Sequence, residues 1–153
     1  MDVLAETQGR IYGAITIAGP EDFSSPFPGA LFPCLIWDHD GRFNDAERSA
    51  VARALLLAGC RYAVCGGKHS DAWEDAVDWE FVAQHPGRWR DEELVMTTSH
   101  KGERPDDVAF HLVRLTNCLH DLQLYLILHV GTGVLKGHVD AGVRKYARMG
   151  PLT

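Results

Sequence analysis

Four apolar runs, each followed by a histidine at a nearly even stride, constrain the fold of this chain most. Pro33–Trp37 precedes His39, Tyr62–Cys65 precedes His69, Glu93–Thr97 precedes His100, and Leu124–Leu128 precedes His129. Each run has strand length, and the intervals between them carry helical patterning. Strands separated by helices pair in parallel, so their C-terminal ends collect on one edge of one sheet. That edge is where open α/β sheets bind ligands.

An earlier run, Ile11–Ala18, reads as a further strand ended by Gly19-Pro20. Residues 21–32 are rich in Ser, Pro and Phe and are expected as a loop, because proline removes donors and fixes the backbone. The first helix should start after Asn44, with Glu47 placed for a capping box and Gly59 for the C-terminal cap. A second helix, capped by Ser70 or Asp71, should bury Trp73, Val77 and Phe81 and stop at Pro86-Gly87. A third starts at Pro105 and carries a stripe of Val108, Leu112, Leu115, Leu119 and Leu122. A last amphipathic stretch holds Val139, Val143 and Tyr146. The expectation is a single α/β domain over residues 1–153, with a mainly parallel sheet of about five strands between helices, flavodoxin- or Rossmann-like in the broad sense.

The net charge of −6 argues against a nucleic-acid or membrane-surface binder, since both need a basic face. No apolar run approaches the ~20 residues that span a bilayer. Asp2 and Glu6 stand where a signal peptide would be basic. A cytoplasmic protein is expected. Cys34, Cys60, Cys65 and Cys118 have no C-x-x-C spacing and read as reduced small hydrophobes, with Cys118 in the third helix. Trp37 and Trp73 suit a core or pocket wall, while Trp79 and Trp89 suit an interface.

Asp38-His39-Asp40-Gly41 is the sharpest local signal for chemistry. Residues two apart in an extended segment share a side. Asp38 and Asp40 would then hold Mg²⁺ with waters left on the metal, or act as nucleophile and general acid. The plainer reading is a turn whose acids bond backbone N–H groups. The stretch Leu35–Asp45 resembles the first motif of haloacid-dehalogenase-like phosphohydrolases, which implies Asp38 as nucleophile, Asp40 as acid/base and Lys101 as the lysine. That family places Thr or Ser after the next strand, where this chain has Cys65-Gly66; Arg42 also departs from the pattern. Residues Leu35–Val77 are similar to the opening of a response-regulator receiver domain, which implies a receiver-like interaction module. Its phosphoacceptor Asp is replaced by Thr97 or Thr98, and neither likeness assigns a family.

Gly66-Gly67-Lys68-His69 lies between a strand and a helix start, where backbone N–H groups and Lys68 suit an anion; a tight turn is the plainer reading. Thr98, Ser99, His100 and Lys101 form a third polar loop on the same edge. The histidine row would suit a transition metal, but it lacks closely spaced pairs. G-x-G-x-x-G is absent, so neither NAD nor FAD is expected.

These readings converge on a ligand-binding or regulatory interaction module, non-catalytic or weakly catalytic. Its anion or phosphate site would use His39, Gly66, Gly67, Lys68, His69, Thr98, Ser99 and His100. The alternative is a Mg²⁺-dependent phosphohydrolase or phosphoryl-transfer enzyme using Asp38, Asp40 and Lys101. The expected partner is an anionic small molecule or a protein, and a homo-oligomer is compatible with either.

Overall fold

The computed structural model describes residues 1–117 and 120–149. Cys118 and Leu119 lie outside the described residues. The elements are β1 (Asp2–Thr7), β2 (Arg10–Ile17), β3 (Phe32–Asp38), α1 (Asp45–Ala58), β4 (Cys60–Gly67), α2 (Ser70–Gln84), β5 (Met96–Ser99), α3 (Pro105–Leu115), β6 (Leu124–Val130) and α4 (Lys136–Arg148). One six-stranded sheet runs β1-β2-β6-β3-β4-β5. Every pair is parallel except β1 with β2, which form an antiparallel hairpin. The fold is thus α/β and mostly parallel, with one strand more than the sequence led us to expect. The extra strand is β1, whose only buried apolar side chain is Leu4, so it carries little hydrophobic signal.

The interior strands explain their own sequences. All seven residues of β3 are buried, because the strand has neighbours on both sides and helices on both faces. Alternate side chains feed two cores. Cys34, Ile36, Cys65, Leu126 and Leu128 pack against Val51 and Leu55 of α1 and Trp73, Val77 and Phe81 of α2. Leu35, Trp37, Val64, Tyr125 and Ile127 pack against Val108 and Leu112 of α3 and Val139 and Val143 of α4. Helices α1 and α2 therefore cover one face and α3 and α4 the other.

Local chemistry sets the helix ends. At α1 the Asn44 side chain accepts from the Glu47 N–H at 2.8 Å, the Glu47 carboxylate accepts from the Asn44 N–H at 3.1 Å, and Gly59 caps in the left-handed region, as expected. Helices α2 and α3 each depart from expectation at one end. Helix α2 takes no side-chain cap from Ser70 or Asp71; its N-cap is His69, itself left-handed at φ 55°. Helix α3 stops at Leu115, which is exposed, and Leu122 is buried just ahead of β6 rather than on the helix. The polar residues past Leu115 supply the stop. Thr116 Oγ1 donates to the Leu112 carbonyl, and Asn117 bonds both Tyr125 and the Leu122 N–H. Strand β5 begins at Met96 because Asp91–Glu93 forms a 3-10 turn. Among the described residues no helix is long and apolar enough to cross a membrane.

Candidate functional site

The chain leaves β3 toward α1 on one face and leaves β6 toward α4 on the other. Strands β3 and β6 are neighbours, so their C-terminal ends open a crevice at a switch point of the sheet, where α/β folds place ligands. A cavity of about 320 Å³ occupies this position, lined by Trp37, Asp38, His39, Gly67, Lys68, Gly102, Glu103 and Gly133–Leu135. A second cavity of about 730 Å³ shares Trp37, Glu103 and Leu135 with it and extends along Pro105, Ala141 and Gly142 between α3 and α4. The shared walls make them two lobes of one groove.

Backbone bonds brace the smaller lobe. The His39 N–H donates to the Val130 carbonyl at 2.9 Å, and the Lys68 N–H donates to the Asp38 carbonyl at 2.8 Å. Gly67 has φ 76°, and a Cβ there would lie 2.4 Å from the Asp38 carbonyl oxygen. Only glycine fits that approach. Gly66 serves packing, since a Cβ would meet the Trp37 ring at 2.8 Å. The two glycines thus bring strands and a tryptophan close together.

Asp38 is fully buried. Its Oδ1 accepts from the Gly41 N–H at 2.8 Å and its Oδ2 accepts from Trp73 Nε1–H at 2.9 Å. Asp40 turns the other way, toward the loop after β6, where the Thr132 N–H donates to it at 3.4 Å. The two carboxylates thus follow different partners, one inward to α2 and one across to the β6 loop. Among the described residues, the one grouping of three or more potential metal-ligating side chains is Glu74, Asp75 and Asp78 on α2, away from this groove. Burial, followed by the neighbouring Asp78, Asp75 and Asp71, raises the Glu74 carboxyl above its ordinary value.

The remaining candidates separate by strand parity. Ser99 and Thr97 face α2: Ser99 Oγ bonds Asp71 and Ser70, and Thr97 Oγ1 donates to Asp78. Lys101 is exposed and reaches Asp71 at 4.0 Å. Thr98 faces the opposite side and bonds His100 Nε2, while His100 Nδ1 meets Glu103 at 2.8 Å. The His100 ring also packs edge-on against His111, whose Nε2 meets the Tyr62 hydroxyl at 3.1 Å. Burial, then the His100 ring, holds His111 below its ordinary value. His69 is exposed at the cap of α2, with Nε2 beside Gly41.

Of the histidine row, His39 and His129 meet. His129 is fully buried on β6, with Nδ1 2.8 Å from His39 Nε2 and Nε2 2.8 Å from Asp140 Oδ1 of α4. Burial first, and then the His129 ring, lower the His39 pKa; Asp38, Asp40 and Asp140 pull it back up. Sequence reading had no signal for Asp140 or Glu103, because nothing in a lone acid on an amphipathic helix or loop announces a partner strands away. Pairing Asp140 with a polar residue inside a predicted buried strand would have been the available clue.

The thiols are chemically quiet. Cys34, Cys60 and Cys65 are buried and free. Burial pushes Cys60 up to about 12 and the other two well above the ordinary thiol value. Trp37 and Trp73 are core residues, whereas Trp79 and Trp89 are exposed.

No curated protein and no solved structure matches the chain. Residues 16–145, which include every groove residue named above, match the family described as Domain of unknown function (DUF7684), and the chain belongs to that family.

Proposed function

We propose that this protein is a ligand-binding module whose groove takes a small acidic molecule, with the anionic group at Lys68 and an apolar body along Trp37, Leu135, Ala141 and Gly142. The observation that carries this reading is Lys68. It lines the switch-point lobe and has no carboxylate partner among the described residues. An unneutralised ammonium at the mouth of a preformed cleft attracts anions. The amino end of α4, capped at Leu135 without a side-chain bond, opens on the same lobe and adds donors of the same sign. Most of the exposed wall of the groove is apolar, which favours a ligand larger than inorganic phosphate. Buried free thiols fit a reducing, cytoplasmic setting, which we also propose.

Thermal unfolding with inorganic phosphate, benzoate and phenyl phosphate tests the reading. Phenyl phosphate is expected to raise the Tm most, since it alone pairs a dianion with an aromatic body. Saturation at a hundred times Kd corresponds to about 2.7 kcal/mol. Lys68→Glu should remove the shift while changing the stability of the free protein by less than about 0.5 kcal/mol, as exposed surface positions do. No shift with any of the three, or a shift that survives Lys68→Glu, would remove the assignment.

A further inference from the structure

His129 sits between a carboxylate and a second imidazole, and with both rings neutral that order sets the direction of each bond in the chain. The Asp140 carboxylate only accepts, so His129 carries its proton on Nε2 and donates it there. A neutral His129 then has a bare Nδ1, which accepts from His39 Nε2–H. His39 is left with a bare Nδ1. That atom lies beside Gly133, where a Cβ would stand 3.1 Å from it, and both residues border the smaller lobe. The absence of a side chain at Gly133 keeps the space next to the lone pair open.

We propose that His39 is a general base in this groove, oriented by His129 and Asp140, and that the groove hydrolyses small carboxylic esters. The step balances within the site and water. His39 Nδ1 takes a proton from a bound water as the water oxygen bonds to the acyl carbon. The resulting oxyanion faces the Lys68 ammonium. Collapse breaks the bond to the leaving oxygen, and His39 returns the proton to that oxygen, releasing an acid and an alcohol. The acid product belongs to the anion class that the groove is proposed to hold, and in that respect the inference rests on the ligand reading. The groups facing His39 are His129 from β6, Asp140 from α4, Asp38 from the end of β3, Asp40 from its own loop, and Lys68 and Glu103 across the lobe. The acids stabilise the imidazolium that forms, and Lys68 opposes it. Buried charge compensation of this kind is how histidine bases are tuned. His129 and Asp140 are positioning residues.

Two measurements on the whole chain test this. In ¹⁵N-histidine spectra of the parent protein near neutral pH, His39 and His129 should both be protonated on Nε2 and bare on Nδ1. Hydrolysis of p-nitrophenyl acetate should fall by about a hundredfold in His39→Gln, the size expected for loss of a general base. Asp140→Asn should lower the rate by about tenfold and move the rising limb of the pH profile toward acid, since a less compensated imidazole is a weaker base. His120→Gln, whose ring meets the Leu94 carbonyl outside the groove, should retain the parent rate. A proton on His39 Nδ1, or parent turnover in His39→Gln, would overturn the proposal. Correct tautomers and turnover without any anion-induced Tm shift would sink the ligand reading alone.

Discussion

Replacing Trp73 by alanine is expected to lower the Tm by roughly 10–15 °C. Trp73 is fully buried in the core beneath α2, where emptying a tryptophan site costs about 3–5 kcal/mol. For a chain of this size each kcal/mol moves the Tm by roughly 2–4 °C. The same change also strips the Asp38 carboxylate of its Nε1–H donor. Trp73→Phe separates the two effects. It keeps most of the ring and deletes the donor, leaving a buried carboxylate oxygen unsatisfied at a cost of about 1–3 kcal/mol. Thermal or denaturant unfolding of both variants measures the split. A neutral Trp73→Phe would mean that Asp38 does not depend on this bond.

Gly67→Ala should be the most damaging change at the groove itself. The new Cβ would stand 2.4 Å from the Asp38 carbonyl oxygen, on a residue held at φ 76°. Left-handed backbone costs a non-glycine residue about 1–2 kcal/mol before any clash. The clash is with backbone and cannot be relieved by a rotamer. The ends of β3 and β4 must part, and the bond from the Lys68 N–H to the Asp38 carbonyl lengthens with them. A loss of at least about 2 kcal/mol in denaturant unfolding is expected. Weaker binding of phenyl phosphate should accompany it, because Lys68 is carried on the displaced segment. A variant as stable as the parent would mean that β3 and β4 are not held this close.

Both predictions concern residues that stand out in the sequence, though for other reasons. Trp73 is a core position by helical spacing. Its second role, as donor to an acid on a different element, depends on how α2 docks on β3, which no local pattern encodes. Gly67 stands out in the sequence as part of an anion nest or of a tight turn; the close approach of its backbone to Asp38 adds a steric demand for glycine. The strand and helix assignments were legible because β3, β4 and β6 each carry a continuous apolar run and α1 carries a complete capping box. Strand β1 was illegible because an edge strand with a single buried apolar residue leaves hardly any pattern. The end of α3 was misplaced because Leu122 continues the helical spacing while Thr116 and Asn117 redirect the backbone bonds.

For the candidate site, the expected residues divide between the two faces of the sheet. Asp38, His39, Gly67 and Lys68 do border one cavity. Ser99 and Lys101 reach Asp71 of α2 instead, because adjacent residues of a strand face opposite sides, while Gly102 and Glu103 of the same loop line the groove. The carboxylate pair was the most tempting feature of the sequence. The i, i+2 rule that suggested it holds only while the backbone stays extended, and Asp38 is the last residue of β3. Beyond it the backbone is no longer strand, and the two acids take different partners: Asp38 bonds Gly41 and Trp73, and Asp40 bonds Thr132.

The account stands or falls on whether the crevice between β3 and β6 takes an anion. Amide chemical-shift mapping during a titration with phenyl phosphate tests this residue by residue. The largest shifts are expected at His39, Lys68 and Gly133–Leu135, and they should saturate together. Saturating shifts confined to the α2 surface around Asp71 and Lys101, or a titration in which the groove amides stay still, would contradict it.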